Sequence, residues 1–502
     1  MALTSDKIRS ELVSHPVPFC PEHLVLNQKQ LLGFSKMTHF SRPGYSLQPE
    51  NATSNSTTPR VATPEAVTAV QETTANPFLT PYASQDPSRT TSSVALAQST
   101  ISHRYFHSRR VKKGQVERPW TDVKDPKEKW VTIIPLIGLF VGLAIAGFLV
   151  WDGLRTVVDH KYCVVYMSDF PNKGLELDIW TKEAEVGGFG NGQFEETTVT
   201  EENVFIQDGM LYIKPTLQDA TIVEQNSRID LLAQGICTST VWTNCVTGTN
   251  TSSTNSTTAN PVKSGRINTK KSKSIKYGRI EVEAKLPGGD WLWPAIWLLP
   301  VNGTYGEWPR SGEIDIVESR GNNWTFPQGG NNIVSSSLHW GPDSADDAWW
   351  KTNVKRKALH TTYAKTFHTF GLEWSEKYIF TYIDTRLLQV LYTNFDQDLW
   401  SRGHFPDSDS NGTKLVNPWG QTSRKSTPFD QDFYLILNVA VGGTNGWFED
   451  SKNGKPWVDG SKNPKRDFWN AKDNWYPTWQ ESGEMMVRSV KMWQQQGYNG
   501  CN

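Results

Sequence analysis

Residues 131–150, VTIIPLIGLFVGLAIAGFLV, carry no charge, and nothing else in the 502-residue sequence limits the fold so sharply. As a helix this run would rise about 30 Å, the thickness of a bilayer core. In hydrocarbon every backbone N–H and C=O must be paired inside the segment, which a helix achieves. The run is too far from the N-terminus and too long for the apolar part of a cleaved signal peptide. The competing expectation is a helix buried in a globular core. Trp130 and Trp151 flank the run, as suits the two membrane interfaces. Arg109, Arg110, Lys112, Lys113, Arg118, Lys124, Lys127 and Lys129 precede it, whereas only Arg155 and Lys161 follow closely. The positive-inside rule then predicts a cytoplasmic N-terminus and a lumenal or extracellular C-terminal part, the layout of a single-pass type II membrane protein that meets lipid through one helix.

That division organises the rest of the chain. Residues 1–118 are rich in Ser, Thr, Pro and Gln without apolar periodicity, and are expected to form a disordered cytoplasmic tail. Residues 119–130 form a basic juxtamembrane segment, 131–150 the signal anchor, and 162–499 the folded domain. Four of the five cysteines, Cys163, Cys237, Cys245 and Cys501, follow the span. An even count in an oxidising compartment permits two disulfides. Cys237 with Cys245 would close a short loop and Cys163 with Cys501 would staple the ends of the domain, but the sequence leaves connectivity open. Asn250, Asn255, Asn302, Asn323 and Asn411 begin glycosylation sequons on the proposed outer side. Asn51 and Asn55 do so on the inner side, so sequons alone argue weakly for orientation. A net charge of -1 offers no reason to expect a nucleic-acid partner.

After Lys161 short apolar alternations recur between Gly, Pro and Asn: YGRIEVEAKLP, EIDIVES, FHTFGLEW, KYIFTYIDT, FYLILNVAVGG and MMVRSVKMW. Many short strands without a convincing amphipathic helix predict an all-β, antiparallel sandwich. The segment is long for an immunoglobulin type, and a jelly roll of two curved sheets with a concave ligand face fits better. Nearly all of the 22 Trp lie after residue 179, a density that suits either core filling or flat platforms for sugar rings. Thr247 to Asn260, TGTNTSSTNSTTAN, reads as an exposed, glycosylated insertion.

Within GEIDIVES, Glu313 and Asp315 share one face of a strand while Ile314 and Ile316 share the other. Glu318 breaks the alternation and would point into the core, where an ionised carboxylate is costly. One extra residue at Ile316 or Val317, forming a β-bulge, restores Glu318 to the face of its partners. Calcium would favour loop oxygens rather than acids alternating with Ile and Val. Glycoside hydrolysis instead needs two carboxyl groups flanking the scissile bond, and a separation of roughly 5–5.5 Å gives a retaining mechanism. On that reading Glu313 is the nucleophile, Glu318 the general acid/base, and Asp315 tunes the pair. The bland alternative is an edge strand whose acids face water.

At these residues the chain resembles family 16 of the glycoside hydrolases, whose laminarinase-type members carry E-x-D-x-x-E with the bulge. The resemblance runs through YGRIEVEAKLPGGDWLWPAIWLLP, YGEWPRSGEIDIVESRGN, LHWGP, FHTFGLEW and LNVAVGGTNGWF, and covers roughly Asp178 to Trp493. The branch resembled contains β-1,3-glucanases and invertebrate β-1,3-glucan recognition proteins, and CTSTVWTNC resembles its cysteine pair. The resemblance implies a concanavalin A-like jelly roll, a β-glucan substrate, and the roles just given to Glu313, Asp315 and Glu318. It places Trp308 and His339 near the cut, and Trp293, Trp297, Trp340 and Trp447 around the cleft. Trp297 is equally suited to the core, and His339 to a structural role. Asn191 and Glu195, in GFGNGQFE, match a segment that borders the cleft. No metal or cofactor is required for catalysis; some members hold a structural calcium, for which no position is assigned here.

Three functions are open to such a chain. A retaining endo-β-1,3-glucanase acting on laminarin-like or cell-wall glucan is the leading expectation. A transglycosylase would pass the same covalent intermediate to an acceptor sugar. A receptor would bind β-glucan without turnover; recognition proteins of the branch typically lack the catalytic carboxylates, whereas both glutamates stand here.

Overall fold

The computed structural model describes residues 110–123, 125–156 and 160–502. The expected disordered tail, with the sequons at Asn51 and Asn55, lies outside the described residues except for its last positions. There, Arg110 to Glu117 contain a turn closed by Gln115 N–H on the Lys112 carbonyl at 3.0 Å.

The apolar run is helical. Helix α1, Glu128–Thr156, is longer than the sequence-based span at both ends and carries Trp130 and Trp151 within it. Glu128 and Lys129 are good helix formers, and no breaker separates them from the apolar run. From Glu128 to Gly153 its side chains are exposed, and that stretch is long and apolar enough to cross a membrane. One short turn, Pro119–Asp122, precedes it.

The domain after α1 is a jelly-roll sandwich of two eight-stranded antiparallel sheets. Four strands position the site: β1 (Leu292–Pro300), β2 (Glu313–Ser319), β3 (Ile333–His339) and β4 (Phe433–Val441). They run in the order β3, β2, β1, β4, bordered by Asn353–Lys357 on one side and Arg266–Asn268 on the other. The opposing sheet is built around Gly278–Lys285 and Met485–Gln495, which pair with each other. In Gly278–Lys285 buried and half-buried residues alternate strictly, the period of a strand with one face on the core. Ile280, Val282, Phe370, Leu372, Val490 and Met492 from that sheet meet Ile296, Leu298, Ile314, Leu338, Leu435 and Leu437 from the site sheet in one core. The face of β1 to β4 turned away from that core is free to present polar groups.

Both disulfides form: Cys163 to Cys501 and Cys237 to Cys245. The first joins strand Tyr162–Ser168 to the C-terminus, where Tyr162 also pairs with Gln495. The segment Thr247 to Asn260 is not exposed throughout, contrary to the sequence-based expectation. Val246–Thr249 pairs with Ser227–Asp230, Asn250 bridges to Thr257, and Thr258, Ala259 and Asn260 are buried. A polar run resembles a loop, yet threonine is a good strand former, and Thr249 Oγ1 donates to the Ile222 carbonyl at 2.7 Å. The tip, residues 251–256, is exposed.

Candidate active site

Strand register decides where the carboxylates point. Against β1, Asp315 pairs with Trp297, Val317 with Ile296 and Glu318 with Ala295, which leaves Ile316 without a partner. Against β3, Glu313 pairs with His339, Asp315 with Ser337 and Glu318 with Ser335, with the same irregularity. Ile316 is thus the extra residue of a bulge. Paired residues on neighbouring strands share a face, so Glu313, Asp315 and Glu318 emerge together beside His339, Trp297 and Trp293, while Ile314, Ile316 and Val317 join the core.

Each carboxylate has a defined partner. Trp308 Nε1 donates to Glu313 Oε2 at 2.9 Å, and Trp293 Nε1 donates to Glu318 Oε1 at 3.0 Å. His339 Nε2 lies 3.2 Å from Asp315 Oδ2 and 3.9 Å from Glu313 Oε1. His339 Nδ1 is 2.5 Å from Asp347 Oδ2. Asp315 Oδ2 is buried without a well-aligned donor. One donor atom from each of Glu313, Asp315 and His339 falls within 4.8 Å of the others, so the three groups act on one another directly.

Electrostatics follow from crowding acids in a site with little water. Burial raises the pKa of all three carboxyls above the usual range; the charge of Asp315 adds to the rise at Glu313, and that of Glu318 at Asp315. For His339, burial works against the imidazolium, but the Asp315 and Asp347 carboxylates at its two ring nitrogens and the charge of Glu313 outweigh it. Its pKa is raised well above the ordinary value, which favours the imidazolium. That charge in turn pulls all three carboxyl pKa values down, the Trp308 N–H does the same at Glu313, and the Trp293 N–H at Glu318.

The aromatic candidates separate by strand face. Trp293 stacks on Trp447 with centroids 4.6 Å apart and planes 12° from parallel. Trp297 is on the site face: its Nε1 donates to Asn438 Oδ1 at 2.7 Å, and the Arg266 guanidinium sits 4.8 Å from its ring. Trp308 is 44% exposed, open to a ligand. Trp340, expected around the cleft, is instead core: it is fully buried, and its Nε1 donates to Thr352 Oγ1 at 2.9 Å. His339 and Trp340 are consecutive on the same chain, so one facing the site sends the other inward. Glu195, expected to border the cleft, is also buried, its Oε2 accepting the Val441 N–H at 2.9 Å. Asn191 is half-buried and accepts from Asn445 Nδ2 at 3.1 Å, which links it to the loop of Trp447.

Other residues of the site escaped the sequence reading. Asp347 fixes His339 from a loop, Trp349 lies 6.3 Å from the His339 ring and nearly parallel to it, and Arg320 holds the Trp447 loop. Asp347 reaches the site from a loop and Trp349 from the start of a single 3-10 turn, Trp349–Thr352, neither of which leaves periodicity. Arg320 had a signal, since it lies two residues after Glu318 and strand alternation predicts a shared side.

The sequence profile described as Glycosyl hydrolases family 16 matches residues 237–424. A β-1,3-glucan-binding protein of Penaeus monodon is 38% identical over 345 residues, covering 66% of this chain and 90% of its own length. The glucan endo-1,3-beta-glucosidase A1 of Niallia circulans is 29% identical over 293 residues, covering 56% of this chain, which spans only 34% of that protein. The solved laminarinase of Rhodothermus marinus aligns with a TM-score of 0.42 at 23% identity, over 67% of this chain and 98% of that one. With the identity to the Penaeus monodon protein sustained over nine tenths of that relative, and the profile match containing β1, β2 and β3, this chain belongs to glycosyl hydrolase family 16.

Proposed function

We propose that the chain is a retaining endo-β-1,3-glucanase, anchored by α1 as a type II membrane protein with residues 162–499 as its lumenal or extracellular hydrolase domain. The observation that carries the reading is the convergence of Glu313 and Glu318 on one face of the bulged strand, each held by an indole N–H. Glu313 attacks the anomeric carbon while Glu318 protonates the departing oxygen; Glu318 then takes a proton from the water that releases the sugar. Burial favours the protonated form at Glu318, as the first step requires. The same burial opposes ionisation of Glu313. The His339 imidazolium and Trp308 N–H counter it, while Asp315, within hydrogen-bond reach, shares a proton with Glu313 as a coupled pair. The stacked Trp293 and Trp447 offer an apolar platform for a sugar ring beside Glu318. The anchored orientation is supported by the charge bias around α1 and by sequon asparagines 250, 255, 302, 323 and 411, all exposed, which we assign as glycan sites.

A second reading is favoured by the relative from Penaeus monodon, whose name records glucan binding: the domain would hold β-glucan without cutting it. Product analysis separates the two. Full chain in detergent is incubated with a labelled laminari-oligosaccharide beside Glu313→Gln and Glu318→Gln. Shorter products that disappear in both variants establish the hydrolase. Products longer than the substrate would move the assignment to transglycosylation, and bound but intact substrate would establish the receptor.

A further inference from the structure

A second concavity, of about 400 Å³, opens in the β-domain away from the carboxylates. That volume is within the range of small-ligand sites. Its wall carries three cations, Lys276, Arg424 and Lys425, against one carboxylate, Glu376, with the Ser426 and Tyr498 side chains beside them. The carboxylate is engaged: Glu376 Oε2 accepts from Gln495 Nε2 at 3.2 Å. Two of the cations, Arg424 and Lys276, are less committed, whereas Lys425 already holds a main-chain oxygen. Arg424 Nη1 is a long 3.4 Å from Asp430 Oδ2, Lys425 Nζ donates to the main-chain oxygen of Asp396 at 2.5 Å, and Lys276 Nζ stands 5.8 Å from the Tyr277 ring centroid. Tyr277 and Tyr498 pack edge to face at 4.9 Å, a rigid floor beneath the positive rim.

The cavity sits at the end of the domain tied to α1. Gln495, three residues before Tyr498, pairs with Tyr162, and Gln496 N–H donates to the Lys161 carbonyl at 2.8 Å. Cys163 is covalently joined to Cys501, three residues after Tyr498. Between Thr156, the last residue of α1, and His160 the chain has four peptide steps. Each spans at most about 3.6 Å, so His160 stays within about 14 Å of the helix end. If α1 crosses a bilayer, this pole is held at the headgroup layer, where phosphate is the abundant anion.

We propose that the cavity lined by Lys276, Arg424 and Lys425 binds a phosphate group, supplied by the headgroup of a neighbouring phospholipid. Arg424 presents a planar fork suited to two phosphate oxygens, and the lysines add point charges around it. Occupancy would fix the domain's tilt on the membrane and so the direction in which the carboxylate face opens. The proposal is independent of catalysis; its lipid source, though not the phosphate site, rests on the membrane reading of α1.

The test uses the full chain in nonionic detergent, titrated separately with dihexanoyl phosphatidic acid, with inorganic phosphate and with dihexanoylglycerol, following the thermal midpoint and phosphorus NMR line width. Phosphatidic acid is expected to raise the midpoint and broaden its signal, dihexanoylglycerol to do neither, and Lys276→Gln/Lys425→Gln to weaken binding at least tenfold. Lys276→Gln alone, which removes no side-chain hydrogen bond among the described residues, should weaken binding by a smaller factor while unfolding at the wild-type temperature without ligand. Inorganic phosphate binding as tightly as phosphatidic acid would support the phosphate site and overturn the lipid source. Binding of neither phosphate compound, or equal binding in wild type and double variant, overturns the proposal.

Discussion

Glu318 depends on a residue two places further along the chain. The Arg320 guanidinium lies 4.0 Å from the centroid of Trp447, and its Nε and Nη2 donate to the Trp447 carbonyl at 3.0 and 2.6 Å. Trp447 is stacked on Trp293, and Trp293 holds the Glu318 carboxyl. Arg320 therefore positions Glu318, the proposed acid/base group, through two indoles. Arg320→Ala is expected to lower kcat roughly tenfold or more and to weaken oligosaccharide binding, and Arg320→Lys, which keeps the charge but loses the fork, to recover only part of either. Steady-state kinetics with a binding titration would check it; unchanged kcat in Arg320→Ala would remove Arg320 from the chain of contacts. The proposed nucleophile has a sharper signature. Glu313→Gln should lose roughly 10³-fold or more in kcat, and added azide should restore turnover with inverted product configuration; full activity without azide would sink the assignment. His339 supplies the pH argument. Its positive charge lowers the pKa of Glu313, Asp315 and Glu318. Removing that charge in His339→Gln lets all three rise, so the nucleophile stays protonated, and the acid stays competent, to higher pH. Both limbs of the pH profile of kcat/KM should move toward alkaline pH; a profile left in place, or moved to acid pH, would contradict a cationic His339.

At the scale of strands, what could be read in the sequence was whatever obeys period two. The three acids of β2, and the need for one unpaired residue near Ile316, follow from alternation alone, and the register confirms both. Trp340 shows the same rule left unapplied: with His339 on the site face, its neighbour had to be core. Asp347 and Trp349 were illegible for a physical reason, because a loop and the single 3-10 turn after it place them by tertiary contact and leave no spacing behind. Glu195 lies in a short strand paired in parallel with Val262–Ser264, a long-range pairing that fixes its burial and that no local pattern announces. The correction at Trp340 has a measurable consequence. Its ring packs at 5.8 Å from Phe405 and 6.4 Å from Trp419 behind the site. Trp340→Ala should destabilise the domain by about 3–5 kcal/mol, read as a lower denaturant midpoint. A cleft residue would instead weaken substrate binding with stability intact, and that result would return Trp340 to the cleft.

For the molecule as a whole, membrane topology is the property on which the biological role turns. The apolar run announces a helix because twenty uncharged residues leave the backbone few alternatives, and α1 forms as expected, with longer ends. The orientation proposed for it rests on three separate observations. Basic residues crowd the N-terminal side of α1 and are sparse after it. Both disulfides lie on the C-terminal side, where Cys163 to Cys501 closes a loop spanning 338 positions and so confines the unfolded chain most strongly. Five sequons on that side are exposed. Under the proposed orientation each observation has its own cause: charge retention in the cytoplasm, an oxidising lumen and access to glycosyl transfer. A protease added outside intact microsomes should therefore remove residues before α1 and spare the β-domain, until detergent admits it. An endoglycosidase should shorten the spared fragment, and reductant should be needed before its two ends separate after internal cleavage. Digestion of the β-domain in sealed vesicles would reverse the orientation and place Glu313 and Glu318 in the cytosol, out of reach of a cell-surface or secretory glucan.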